Sequence, residues 1–167
     1  QAWEVADPEM WVPEGYAVVR VDSRGSGRSE GYLDVWSARE ADDYAECIEW
    51  AGEQEWSNGN VGLNGISYYA MNQWQVATRD PDHLEAMCIW EGAADFYRDL
   101  GHHGGIYCTF GEGWYDNQVE TVQHGLGENG FRSTLTGDWV SGPETLTDEE
   151  LGENRANLER DYKDNKL

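Results

Sequence analysis

The stretch Asn60-Val61-Gly62-Leu63-Asn64-Gly65-Ile66-Ser67-Tyr68-Tyr69-Ala70-Met71 joins a short apolar run to a helical pattern through a glycine and a serine. Strand, sharp turn and helix in that order make a nucleophile elbow, in which a serine hydroxyl is held out at the tip of the turn. Gly65 removes a side chain that would collide in the turn, and Ser67 is expected in a strained backbone conformation. Tyr68 opens the helix, where its backbone N–H is placed to donate to a developing oxyanion. The pattern is not the strict G-x-S-x-G, because Tyr69 stands two residues after the serine and Ala70 three. The plainer alternative is a serine that only caps the helix from Tyr68.

The flanking residues set this turn in an alternating α/β pattern. Tyr16–Val21 is β-branched and aromatic, is bounded by Gly15 and Asp22, and reads as a buried parallel strand. The glycine-rich loop that follows is not a dinucleotide fingerprint, since no helix opens at its glycines; it reads as a compact turn. Ser37 and Glu40 form a capping box for a helix to about Glu53, with Ala41, Tyr44, Ile48 and Ala51 on its apolar face. The helix after Ser67 is expected to reach about Thr78, burying Ala70, Trp74 and Ala77, and to end at Asp80-Pro81. Ala86–Trp90 reads as the next strand. Strand, helix, strand, helix, strand predicts a parallel sheet. Pro8–Val12, Phe96–Leu100 and Trp114–His124 read as short helices, and Thr147 to Tyr162 as a longer capped one. Residues 1–95 are therefore expected to form an α/β core, and 96–167 a mostly helical cap or lid segment.

Charge narrows the partners. The chain has 33 acidic residues against 11 basic ones, a net charge of -22, and its only lysines are Lys163 and Lys166. Phosphates are repelled by such a surface, so neither nucleic acid nor an anionic membrane is an expected partner. An acidic, lysine-poor surface is the expectation for a halophile's protein, self-repelling at low salt and screened at high salt. No apolar run approaches the ~18 residues of a membrane span, and no basic-then-apolar start resembles a signal peptide. A cytoplasmic location is expected. Cys47, Cys88 and Cys108 form neither a disulfide framework nor a metal motif, and the first two read as core residues. The His102-His103 pair lacks a second ligand motif, so no metal and no cofactor is expected.

Three blocks together carry a resemblance. They are Gly15-Tyr-Ala-Val-Val-Arg-Val-Asp-Ser-Arg-Gly-Ser-Gly-Arg-Ser-Glu-Gly31, Trp56-Ser-Asn-Gly-Asn-Val-Gly-Leu-Asn-Gly-Ile-Ser-Tyr68 and Trp90-Glu-Gly-Ala-Ala-Asp-Phe-Tyr97. In this order and spacing they resemble the cocaine esterase/X-Pro dipeptidyl-peptidase (CocE/NonD) family of α/β-hydrolases over about residues 14–108. The family's elbow resembles G-x-S-Y-x-G, which accounts for Tyr69; Ala70 departs from its last glycine by one methyl. The resemblance implies a partial α/β-hydrolase core and a serine hydrolase acting on a small-molecule ester, an amide or a peptide through an acyl-enzyme. It implies Ser67 as nucleophile and the Tyr68 N–H as one oxyanion donor. It places the second donor upstream, and the catalytic acid and histidine beyond a helical cap, so the chain is expected to be an internal fragment of a longer hydrolase.

Two alternatives remain open. The first is a local triad in the order Ser, acid, His, made of Ser67, Asp95 and one of His102, His103 and His124. Against it, Asp95 also suits the N-cap of a helix at Phe96. The second is a non-catalytic α/β-hydrolase-like domain used for binding or assembly.

Overall fold

A computed structural model of the chain describes residues 4–26, 29, 31 and 33–119. The helix expected from Thr147 to Tyr162 lies outside these residues, as does His124. The chain divides into two compact units, one of Gln1–Val21 and Trp36–Gly105, the other of Asp22–Val35 and Ile106–Leu167.

The first unit is built on a βαβ arrangement. Helix α1 (Pro8–Trp11) is capped by the Asp7 carboxylate. Helix α2 (Ala38–Gly52) follows, then strand β1 (Val61–Ile66), helix α3 (Tyr68–Ala77) and strand β2 (Leu84–Trp90). β1 and β2 pair in parallel, Leu63 opposite Met87 and Ile66 opposite Trp90, with a register irregularity between Val61 and Gly62. Parallel neighbours require a crossover, which α3 supplies. The core is Ile48 of α2, Leu63 of β1 and Val76 of α3, with Tyr44, Ala45, Val61, Leu84 and Met87 packed around them. Each fully buried aliphatic side chain contributes roughly 1.5–3 kcal/mol. The α2 face read from the sequence is the face that packs: Ala41, Ile48 and Ala51 are buried.

His83 ties the turns beneath this core. Its Nδ1 lies 2.8 Å from the Gly59 carbonyl, and its Nε2 lies 3.8 Å from the Glu49 carboxylate. The Ser57–Asn60 turn is closed by Gly59 N–H donating to Ser57 Oγ and Asn60 N–H to Asn58 Oδ1, at 3.1 and 3.0 Å.

Three expectations are corrected. Tyr16–Val21 is irregular rather than a buried strand, and Tyr16, Val19 and Val21 are exposed. Its β-branched composition favours an extended backbone, but a strand also needs a ladder partner. Among the described residues the sheet has two strands, and beside β1 lies only an isolated antiparallel bridge between Val5 and Gly65. On α3 the buried residues are Ala70, Met71, Gln73 and Val76, while Trp74 is exposed. The helix is therefore rotated from the apolar edge that Ala70, Trp74 and Ala77 suggest, and the small Ala70 meets the chain after β2. Cys88 is exposed; it alternates with the better-covered Met87 and Ile89 along β2, and so lies on the opposite face from the core.

Tyr44 gives the core a pH signature. Burial first, then the nearby Cys47 and Glu40, push its hydroxyl up to about 12. An unfolded tyrosine ionises near ~10. The folded value is the higher one, so this stabilisation is whole below pH ~10 and is lost as pH rises through the folded value. Two units correspond to roughly 3 kcal/mol. Urea melts taken from pH 9 to pH 12 are expected to show that loss in the wild type and a smaller one in Tyr44→Phe.

The second unit carries the glycine-rich turn. Ser26 N–H and Oγ both donate to the Ser23 carbonyl, at 2.9 and 2.8 Å, and Ser29 Oγ donates to the Asp22 carbonyl at 2.7 Å. No helix opens among the described residues here before α2, in keeping with a compact turn. Helix α4 (Phe110–Trp114) runs into a π-helical turn, Tyr115–Val119, in which Tyr115 and Val119 are buried.

Candidate active site

The end of β1 makes the turn that the sequence predicts. Ser67 has φ 58° and ψ -114°, the angles of the first central residue of a type II′ turn, a position glycine normally fills. Serine there is strained by roughly 1–3 kcal/mol, and such strain persists only where the surroundings over-determine it. They do so on both sides. Ser67 N–H donates to the Trp90 carbonyl at 3.0 Å, extending the β1–β2 ladder by one bond. The Ser67 carbonyl accepts from Ala70 N–H and Met71 N–H, both at 2.9 Å, so α3 starts at once.

The capping alternative fails on geometry. The Ser67 side chain makes no capping hydrogen bond to α3, and its backbone is left-handed where an N-cap is extended. Gly65 permits the turn by close approach: a Cβ on it would strike Tyr69 Cβ and sit 2.7 Å from the Tyr69 carbonyl oxygen. The extra methyl of Ala70 is fully buried and is accommodated opposite Gly92, where an added Cβ would lie 3.0 Å from Ala70 Cβ.

Tyr68 opens α3, and the N–H groups of a helix's first turn point out of its N-terminal end, where the helix dipole also favours negative charge. Its side chain runs the other way. The Tyr68 hydroxyl donates to Glu40 Oε1, while Glu40 Oε2 accepts the Trp36 N–H at 2.8 Å. The Trp36 ring packs on Tyr68 at 4.9 Å and on Phe96 at 4.5 Å between centroids. Burial, the Glu40 charge and its hydrogen bond raise the Tyr68 hydroxyl well above the ordinary tyrosine range, so it remains a donor.

The other predicted residues are used locally. Asp95 caps the turn Phe96–Gly101: its Oδ1 accepts the Arg98 N–H at 3.0 Å, and its Oδ2 lies 3.6 Å from the Arg98 guanidinium. Asp99 reciprocates, accepting from Ala94 N–H and Asp95 N–H. His103 Nε2 contacts the Asp99 carbonyl, and His102 stacks on Tyr97 at 4.2 Å. Ser67 and Tyr68 thus share one turn, while Asp95 and His103 bond within their own segment.

Two supporting residues are not evident as such from the sequence. Glu40 reads as a local capping-box residue; its reach to Tyr68, 28 positions on, leaves no mark in spacing. Gln73 was more accessible, as a polar residue four positions after Tyr69 on the helix that must face the sheet. It is fully buried, and its Nε2 donates to the Tyr69 carbonyl at 2.7 Å and the Cys88 carbonyl at 3.2 Å, fastening the first turn of α3 to β2.

A parallel βαβ unit with a serine at positive φ between strand and helix is an α/β fold of the nucleophile-elbow type. The family model described as X-Pro dipeptidyl-peptidase (S15 family) matches residues 1–161, and the chain belongs to that family. It is 41% identical over 88 residues to cocaine esterase from Rhodococcus sp. strain MB1 Bresler, a match covering 53% of this chain and 15% of that protein. It is 23% identical over 153 residues to an Xaa-Pro dipeptidyl-peptidase of Streptococcus pneumoniae, covering 81% and 19%. Two crystal structures of a CocE/NonD family hydrolase from Staphylococcus aureus superpose on 70% of this chain and 22% and 21% of theirs. Their TM-scores are 0.64 and 0.66, at 50% and 53% identity. The chain therefore spans about a fifth or less of the length of these relatives. Among the described residues no helix is long and apolar enough to cross a membrane.

Proposed function

We propose that this chain carries the nucleophile of a serine hydrolase that cleaves ester or amide bonds. The observation that carries the reading is the backbone of Ser67, φ 58° and ψ -114°, between β1 and α3 with its side chain spared from capping. Family membership supports the reaction class.

In this reading Ser67 Oγ attacks the substrate carbonyl carbon while a histidine takes its proton. The carbonyl oxygen becomes an oxyanion, held in part by the Tyr68 N–H; one such donor is worth about 3 kcal/mol. The tetrahedral intermediate collapses, the C–O or C–N bond breaks, and the leaving group departs with the proton. Water then attacks the acyl-Ser67 ester, releasing the acid and restoring the serine. The base and its orienting carboxylate are drawn from outside the described residues. What supports this is that Asp95 and His103 are engaged in their own turn. The substrate is a small acyl ester or an X-Pro peptide, the two chemistries named among the relatives.

Labelling of the intact protein with a fluorophosphonate tests the reading. One adduct is expected, on Ser67, and Ser67→Ala is expected to lose both adduct and turnover. If Ser67→Ala keeps its biological activity and the wild type takes no label, the domain is a binding module.

A further inference from the structure

Ser67 keeps a backbone conformation that serine disfavours, so something must hold the turn on both sides. Upstream, the ladder bond from Ser67 N–H to the Trp90 carbonyl does this. Downstream, the next residue is tied through its side chain to a different helix. The Tyr68 hydroxyl donates to one oxygen of Glu40, and the other oxygen accepts the Trp36 N–H. Glu40 is itself fixed, as its N–H donates to Ser37 Oγ at 3.1 Å at the start of α2. Trp36 has positive φ, 53°, and its carbonyl accepts from Gln75 Nε2 of α3 at 3.0 Å. Its ring closes over Tyr68. The start of α2 and the start of α3 are thus joined by the Glu40 carboxylate, with the Gln75–Trp36 bond and the Trp36 ring beside it.

We infer that Glu40 is a positioning residue for the hydrolytic centre: by accepting the Tyr68 hydroxyl and the Trp36 N–H together, it fixes the residue whose N–H faces the oxyanion. The inference rests on the reading of Ser67 as nucleophile. Two donors converge on the carboxylate, one on each oxygen. A glutamine could still serve both partners, its carbonyl oxygen accepting the Trp36 N–H and its NH₂ donating to the Tyr68 oxygen, which accepts as well as donates, so the link is broken instead with Glu40→Leu, which offers neither group. Tyr68→Phe breaks the same link from the other end. Neither change touches the reacting atoms. Both release the Tyr68 end of the turn, and a displacement of about 1 Å at a reacting centre can cost ~100-fold in rate.

The test uses the intact protein, with p-nitrophenyl butyrate turnover and the second-order rate of fluorophosphonate labelling at 25 °C, on variants whose melting transition is retained. Glu40→Leu and Tyr68→Phe are each expected to lower kcat and the labelling rate by about 10- to 100-fold while KM moves by less than about 3-fold. The double variant is expected to be no slower than the worse single variant, because both remove one link. A merely structural Glu40 would lower the melting temperature and leave the labelling rate of the folded protein at its wild-type value, and that result overturns the inference. So does a double variant whose losses multiply, or a change confined to KM. If Tyr68→Phe does not fold, Glu40→Leu decides alone on the labelling rate. Failure here is separable from failure of the parent reading: Ser67→Ala that still takes label sinks the nucleophile assignment, whereas label lost in Ser67→Ala but kept at full rate in Glu40→Leu sinks only the positioning role.

Discussion

Replacing Ser67 with glycine is expected to stabilise the protein while removing its activity. The two effects have separate origins. In the proposed mechanism turnover depends on the hydroxyl, and loss of a serine nucleophile typically lowers kcat by about 10⁴- to 10⁶-fold. Stability depends on the backbone, which at φ 58° and ψ -114° suits glycine and strains every residue with a Cβ. Release of strain worth roughly 1–3 kcal/mol is offset by the added freedom of glycine in the unfolded chain, about 0.5–1 kcal/mol. A net gain of about 1 kcal/mol remains, and at most ~2.5 kcal/mol. Ser67→Ala is the control, because it loses the hydroxyl and keeps the Cβ: it is expected to be inactive without the gain. Urea unfolding of the three proteins, followed by tryptophan fluorescence, reads the difference. Equal stability of the glycine and alanine variants would show that the turn is not strained.

The elbow was legible because its determinants are local. Gly65, Ser67 and the switch from a strand-like to a helix-like period lie within a dozen residues, and steric exclusion at Gly65 acts on Tyr69, four positions away. The α2 face was legible for the same reason, since Ala41, Ile48 and Ala51 follow the helical repeat. What the sequence hid depends on partners far along the chain. Tyr16–Val21 has the composition of a strand, but pairing is a property of two segments, and Tyr16, Val19 and Val21 are exposed here. Trp74 looks like a core residue by type, yet the rotation of α3 is set by Ala70 against Gly92 and by Gln73 against β2. Ser37 reads correctly as the cap of α2, its Oγ accepting the Glu40 N–H, while the Glu40 side chain reaches back to the Trp36 N–H, one residue beyond the cap. Its second oxygen's partner, Tyr68, is a tertiary contact that no local pattern encodes.

Thermal stability is expected to rise steeply with salt, and the charge balance sets the scale. With 33 acidic and 11 basic residues, most carboxylates have no cation to face. Among the described residues, an ion pair such as Arg79 with Asp42 at 2.7 Å, with side chains 30% and 63% exposed, is partly open to solvent and contributes little. Two like charges ~10 Å apart in water repel by about 0.4 kcal/mol, and a carboxylate with several such neighbours feels on the order of 2 kcal/mol. Part of this repulsion survives in the unfolded chain, which leaves a few kcal/mol acting against the folded one. The Debye length falls from ~30 Å at 0.01 M to ~3 Å at 1 M, which removes nearly all of it. At about 2–4 °C per kcal/mol for a domain of this size, melting temperature is expected to climb by roughly 10 °C between 0.01 and 1 M KCl. Screening has a recognisable form: most of the rise falls below ~0.3 M, where the Debye length shortens fastest. A rise that continues evenly into molar salt would reflect exclusion of salt from the protein surface, which acts on uncharged surfaces as well. A melting temperature that falls with KCl would rule out the halophilic reading of this composition.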